Sequence, residues 1–161
     1  MSAFPFLFLT FGTMTLFTAA TAHATPKTLF DFPRHRIVSS CIATMCLLFV
    51  TGFFAWTPAN DAVIALYAVY FSGAILCLPM ALLSVYRGRK LAGVYLTLLM
   101  MCGASLGLCV VSTQVDAPVG LRVALILSCI YMTLHHVVYD LTMWWYFFTL
   151  DRSMYFMDET T

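Results

Sequence analysis

Residues Leu91–Ser112 read LAGVYLTLLMMCGASLGLCVVS, a run without one charged side chain. A helix of about 20 apolar residues is long enough to cross the hydrocarbon core of a bilayer. Three further stretches meet the same requirement, namely Ile37–Trp56, Ala62–Tyr86 and Val119–Leu141. Backbone groups in lipid must bond within their own segment, so each stretch is expected to be helical. The sequence therefore predicts an all-α transmembrane bundle of four core spans over residues 37–150, with a long last helix.

The composition indicates lipid as the main solvent. Hydrophobic residues make up 62% of the chain and charged residues 9%, against about 25% charged residues in a typical soluble domain. The net charge of +1 gives no reason to expect nucleic acid as a partner. The six cysteines include no C-x-x-C pair, which argues against a disulfide framework and against redox enzymes that need a vicinal pair. We expect the thiols to be small packing groups.

The basic residues predict the orientation of the chain. Seven of the eight lysines and arginines fall on one predicted side, and only Arg122 falls on the other. By the positive-inside rule, the basic loops and the C-terminus are expected on the cytoplasmic or matrix side. Basic and aromatic residues near the span ends are expected to anchor the chain at that interface. These anchors are Arg87, Arg89, Lys90, Trp144, Trp145 and Tyr146.

The two ends of the chain differ from the core. Residues 1–24 form an apolar N-terminal segment, for which a fifth span, a docked segment and a cleaved signal peptide are all open. A basic n-region is missing from this segment, and cleavage would leave basic residues on the wrong side, so retention is favoured. Residues 25–36 are expected to be a basic inner-side linker, and residues 151–161 an acidic polar tail.

The octapeptide LHHVVYDL, from Leu134 to Leu141, carries the sharpest polar signal. His136 and Asp140 are four residues apart, which places them on one helical face. Ionisable groups within a span are costly and suggest function. Two interpretations stay open for His135, His136 and Asp140. They either join helices or subunits by hydrogen bonds, or they bind a cofactor or transfer protons.

This octapeptide resembles the R-H-x-x-x-D element in the membrane anchor (cytochrome b) subunit of succinate dehydrogenase. His136 and Asp140 match the histidine and the aspartate of that element, and His135 stands in place of its arginine. Cys129 stands where the family has a haem-ligating histidine. In that family a further span follows the element, whereas in this chain the element lies in the last predicted span. The resemblance covers this octapeptide alone and implies haem or quinone binding, whereas we expect no cofactor from the residues themselves.

Two pairs of small residues predict close helix packing. Gly103 and Gly107 form a G-x-x-x-G pair in the third span, and Ala68 and Ser72 form a similar pair in the second. Helices in lipid associate through close approach of their backbones, which such residues allow. The spacing is equally compatible with contacts inside the chain and with contacts to a partner.

Residues for catalysis and for metal binding are sparse. The sequence has no serine nucleophile elbow, no glycine-rich phosphate loop and no H-x-x-H or H-E-x-x-H pattern. We therefore expect neither an enzyme nor a metal site.

The sequence favours a non-catalytic, multi-pass subunit that packs against other integral membrane subunits and lipids, as a structural or assembly component of a larger complex. The leading location is the mitochondrial inner membrane, as in a respiratory-type complex, because the thiols are unpaired and no glycosylation sequon is present. The alternatives are a small transporter or channel, a free-standing tetraspan trafficking protein, and a haem- or quinone-binding anchor that uses His136 and Asp140.

Overall fold

The computed structural model describes residues 33–57, 61–87 and 92–142. They form four helices, and no strand occurs in these ranges. The helices are α1 (Pro33–Trp56), α2 (Asp61–Arg87), α3 (Ala92–Thr113) and α4 (Val119–His135), and α4 continues into a π-helical turn (His136–Leu141). The predicted all-α bundle is confirmed.

Three of the helices are long and apolar enough to cross a membrane. Their apolar segments are Ile37–Trp56, Gly93–Thr113 and Val119–Leu141, which lie within two residues of the predicted spans. Helix α2 covers Asp61–Arg87, and the apolar stretch recorded within it is Asp61–Cys77 among the residues whose side chains are described. Its crossing of the membrane stays a prediction. The chain is therefore membrane-embedded, with three described helices able to span a membrane by their length and composition.

The first helix begins before the first span. The predicted span starts at Ile37, as found, and the last residues of the predicted basic linker, 33–36, form the first turn of the helix. Proline suits the first position of a helix because the missing N–H would have no acceptor there, and its φ angle is already helical. The rest of the linker, the N-terminal segment and the acidic tail lie outside the described residues.

The helices pack in the spatial order α1, α4, α3, α2. The extensive contacts join α2 to α3, α3 to α4 and α1 to α4. Short connections make α2 antiparallel to α3 and α3 antiparallel to α4, and the alternation of direction along the chain makes α1 antiparallel to α4 as well. Helix α4 therefore lies between α1 and α3, although it is the last of the four described helices in sequence.

Two groups of buried side chains form the core. One lies around Tyr70, Leu98, Met101 and Met132. The other lies around Val50, Phe54, Leu108, Leu125 and Cys129. Each group draws residues from all four helices, which is what holds the bundle together as one body.

All six cysteines are free thiols, as the absence of a C-x-x-C pair predicts. Cys77, Cys102 and Cys129 are buried, whereas Cys41 is exposed. Burial as a small packing group is thus confirmed for three of the six thiols and is wrong for Cys41.

The contact between α2 and α3 depends on glycine, and we call it the α2–α3 seam. A Cβ atom added at Gly73 would lie 2.9 Å from the backbone oxygen of Thr97 and 2.7 Å from Cγ of Met101. A Cβ atom added at Gly107 would lie 2.5 Å from Cδ2 of Leu66. At Gly73 the two backbones approach closely because the position carries no side chain, and at Gly107 the missing side chain leaves room for that of Leu66.

Candidate functional site: a buried polar junction

Hydrogen bonds between two side chains connect α4, with the π-helical turn that continues it, to each of the other three helices. The α4 partners of these bonds all lie between Tyr131 and His136. We call the connected group around the two histidines the polar junction. It comprises Ser39, Tyr70, Tyr131, His135, His136 and Asp140.

The centre of the polar junction is a chain of three groups. Nε2 of His136 lies 2.8 Å from the Tyr70 hydroxyl, and Nδ1 of His136 lies 2.9 Å from Oδ2 of Asp140. With Asp140 ionised, the carboxylate accepts the hydrogen bond from Nδ1, which leaves Nε2 to accept from the Tyr70 hydroxyl when the ring carries one hydrogen. His136 is 0% exposed and Asp140 3%. The predicted pairing of His136 with Asp140 on one face is confirmed.

The second histidine extends the junction towards α1. Nδ1 of His135 lies 2.8 Å from Oγ of Ser39, which in turn lies 3.0 Å from the Tyr131 hydroxyl. Nε2 of His135 lies 3.4 Å from Oγ of Ser40 and 4.0 Å from Oδ2 of Asp140. Asp140 is therefore close to both imidazole rings.

The π-helical turn is the local cause of this convergence. In an α-helix, residues five apart point about 140° away from each other, so His135 and Asp140 would face different neighbours. A π-helical turn bonds residue i to i+5 and brings such residues onto the same side. The turn covers His136–Leu141, so it starts directly after His135 and includes Asp140. It thus places Asp140 within reach of both rings.

A buried pair of hydroxyls lies apart from the polar junction. Oγ1 of Thr51 and the hydroxyl of Tyr67 are buried neighbours. Neither has a hydrogen-bond partner of good geometry among the described residues. Tyr67 lies one turn before Tyr70 on α2, so the two tyrosines offer a direct contrast between a satisfied and an unsatisfied buried hydroxyl.

The small residues predicted to pack helices divide into two groups. Gly107 faces the α2–α3 seam. Gly103, Ala68 and Ser72 are exposed on the outside of the bundle, and a Cβ atom at Gly103 would have no atom within 4 Å. Only Gly107 of the four is placed to pack helices within the chain.

The predicted interfacial anchors fall where side chains are not described. Arg87 is the last residue of α2. The other five, namely Arg89, Lys90, Trp144, Trp145 and Tyr146, lie outside the described residues. Their anchoring role stays a prediction.

Sequence reasoning did not single out Ser39, Ser105, Thr133 or Tyr70 as partners. The hydroxyls of Ser105 and Thr133 lie 2.6 Å apart and join α3 to α4. Isolated hydroxyls are common in membrane helices, where they also bond to the preceding turn of their own backbone. The one available signal was that Tyr70 lies within an apolar span and needs a partner for its hydroxyl.

Two kinds of chemistry fit the junction. The series from Tyr70 through His136 to Asp140 resembles a relay in which the carboxylate fixes the tautomer of the ring. His135, His136 and Asp140 also form a group whose ligand atoms lie within 4.8 Å of one another. Haem ligation has less support, because Cys129 is packed in the apolar core and Nε2 of His136 already contacts Tyr70.

No protein family, curated protein or solved structure matches the chain.

Proposed function

We propose that this chain is a non-catalytic integral membrane subunit that packs against other membrane subunits in a larger complex. The observation that carries the proposal is the outward position of Gly103, Ala68 and Ser72. Lipid tails adapt to any apolar side chain, whereas a partner helix gains from small residues that let backbones approach. An exposed small residue in the middle of a span therefore favours a helix as its neighbour.

The polar junction supports the same proposal. Its side chains bond to one another and join α4 to α1 and α2. Groups engaged in this way stabilise a rigid bundle, which is what a structural subunit presents to its partners. A transporter would need comparable polar groups free to contact a solute.

The proposed location is the mitochondrial inner membrane or a similar energy-converting membrane. Six free thiols and the missing glycosylation sequon support a location that is not extracellular. Membrane fractionation with a tag at the C-terminus tests this. Recovery of the chain in the plasma membrane or the endoplasmic reticulum would contradict it.

The orientation is part of the proposal and follows from the basic residues. Cysteines introduced at Gly88 and at Thr160 should react with an impermeant reagent from the same side of a sealed membrane. Reaction from opposite sides would contradict the arrangement of four core spans.

The assembly experiment replaces small exposed residues by leucine. Gly103→Leu and Ser72→Leu should weaken the complex by about 1–3 kcal/mol, because a bulky side chain holds two helices apart. The readout is mass spectrometry of the chains that co-elute with the protein in mild detergent. Gly120→Leu is the matched control, since Gly120 is also exposed with open space over its Cβ position but lies at the beginning of α4.

Stable partners that are lost in both variants and retained in the control would support the subunit proposal. A wild-type chain that elutes alone and takes up a solute saturably in liposomes would overturn it in favour of a transporter.

A further inference from the structure

We propose that His135, His136 and Asp140 bind a divalent transition-metal ion of the Zn²⁺ type within the membrane bundle. The three residues supply two imidazoles and one carboxylate from a single stretch of α4. This donor set is one that zinc and its first-row neighbours accept in proteins. The inference concerns this chain alone and does not depend on partner subunits.

The distances between the donor atoms are near those of a metal site. Bonds of 2.0–2.2 Å around a tetrahedral zinc place neighbouring ligand atoms about 3.4 Å apart. Oδ2 of Asp140 lies 2.9 Å from Nδ1 of His136 and 4.0 Å from Nε2 of His135. Shifts of a few tenths of an ångström in these side chains would bring both distances to the required value.

A hydroxyl group contacts the outward nitrogen of each ring. Ser39 lies 2.8 Å from Nδ1 of His135, and Tyr70 lies 2.8 Å from Nε2 of His136. Metal-ligating histidines usually give their second N–H to such a partner, which orients the ring. With metal bound, His136 would carry its hydrogen on Nε2 and donate it to the Tyr70 oxygen, while Nδ1 would bind the metal. The number of protons on the ring is unchanged.

The fourth position lies on the α1 side. Oγ of Ser40 lies 3.4 Å from Nε2 of His135, which is the separation expected for two ligands of one metal. Either this hydroxyl or a water molecule can complete four-coordination. With the Ser40 hydroxyl as the fourth ligand, the metal would connect α4 directly to α1.

The π-helical turn is the second observation that points to a ligand. Such turns are rare and often occur at functional sites. Here the turn begins at His136 and brings His135 and Asp140 to the same side. A hydrogen bond between His136 and Asp140 alone would form in a regular α-helix, where residues four apart are neighbours. The turn adds a third donor to that pair.

The test uses tag-free full-length protein in detergent micelles, stripped with a chelator and titrated with Zn²⁺. Wild-type protein should bind one Zn²⁺ per chain, and its thermal midpoint should rise until one equivalent has been added. His135→Gln, His136→Gln and Asp140→Asn should each lower the affinity at least 100-fold. Ser39→Ala should lower it about 10- to 100-fold, as for outer partners of metal ligands.

Ser105→Ala is the matched control for these variants. It removes a buried hydroxyl that bonds to α4 through Thr133 but contacts no proposed ligand, so its Zn²⁺ affinity should equal that of wild type. Equal affinity in wild type and the three ligand variants would overturn the proposal. So would a folded wild-type protein that binds no Zn²⁺ at micromolar concentration.

A second measurement covers the case in which the ligand variants do not fold. Co²⁺ added to the stripped wild-type protein should give the intense visible absorption of a four- or five-coordinate ion, and Zn²⁺ should abolish it by competition. A weak spectrum like that of hydrated Co²⁺ would overturn the proposal without any variant.

Discussion

The α2–α3 seam and the polar junction hold the same bundle together by opposite means. At the seam, Gly73 lets two backbones approach closely, and Gly107 leaves room for the side chain of Leu66. At the junction, Tyr70 and His136 fill the space between helices and join them by a hydrogen bond of 2.8 Å. Lipid offers no hydrophobic force between helices, so close packing and polar bonds are the two available sources of association. Close packing joins α2 to α3, and polar bonds join α4 to its neighbours.

The two regions are also expected to differ in how well they tolerate substitutions. A backbone contact cannot adapt to an added atom, since the carbonyl oxygen opposite Gly73 belongs to a helix. A side-chain hydrogen bond can be replaced by another donor or acceptor of similar shape. We therefore expect the seam to be the more sensitive of the two.

The largest effect is expected at the seam. Gly73→Leu should destabilise the bundle by about 3 kcal/mol, because its Cβ would overlap the Thr97 carbonyl oxygen. Gly103→Leu, one helix away and facing open space, should change the stability of the isolated chain by less than about 0.5 kcal/mol. Unfolding by SDS in micelles measures both. A similar loss in the two variants would show that the seam is not the close contact described.

The next effect concerns Asp140 and separates charge from hydrogen bonding. Asp140→Ala should cost about 1–3 kcal/mol, since it removes the acceptor of the buried Nδ1–H of His136. Asp140→Asn should be milder, because an amide oxygen still accepts that hydrogen. Thermal unfolding of chelator-stripped protein compares them without any contribution from a metal. If the asparagine variant were the less stable of the two, the carboxylate charge itself would be the stabilising element.

A smaller effect is expected for the bond between Tyr70 and His136. A double-mutant cycle of Tyr70→Phe and His136→Gln should give a coupling energy of about 0.6 kcal/mol, the average measured for hydrogen bonds between membrane helices, and no more than about 1.7 kcal/mol, the largest value measured. The same cycle with Tyr131→Phe in place of Tyr70→Phe is the control, because Tyr131 bonds to Ser39. Coupling as large in the control would mean that the junction responds as one network.

The smallest effect, and the only one of opposite sign, is expected at Tyr67. Its buried hydroxyl has no partner among the described residues, so Tyr67→Phe should leave the stability unchanged or raise it by up to about 1 kcal/mol. Tyr70→Phe, one turn further along α2, should lower it. Comparing the two by thermal unfolding tests the assignment of partners directly. A loss at Tyr67 would indicate that its hydroxyl bonds to its neighbour Thr51, directly or through a bound water molecule.

Much of the fold could be predicted from the lengths of the apolar stretches and from the spacing of the ionisable residues within them. The spans Ile37–Trp56 and Val119–Leu141 were predicted to the residue, because bilayer thickness sets how many apolar residues a helix needs. The pair His136 and Asp140 was also predictable, since residues four apart share a helical face. The start of α1 at Pro33 was not predictable from apolar length, because the first turn of the helix contains charged residues and lies before the apolar stretch.

The inward or outward direction of the small residues could not be predicted. Gly103 and Gly107 have the same spacing signal, yet Gly107 packs against Leu66 and Gly103 faces open space. Every face of these helices is apolar, so periodicity does not distinguish the core from the lipid. Contacts with neighbouring helices decide it.

By itself, the sequence determined that the chain is helical, membrane-embedded and free of disulfides, because composition and apolar length decide those properties in lipid. The tertiary structure alone decided which polar groups meet. Tyr70 reaches His136 across the bundle, and the π-helical turn brings Asp140 within 4.0 Å of His135. The physical reason is that a hydrogen bond between helices depends on their rotation and on the local backbone. Neither is encoded in the spacing of residues along one helix.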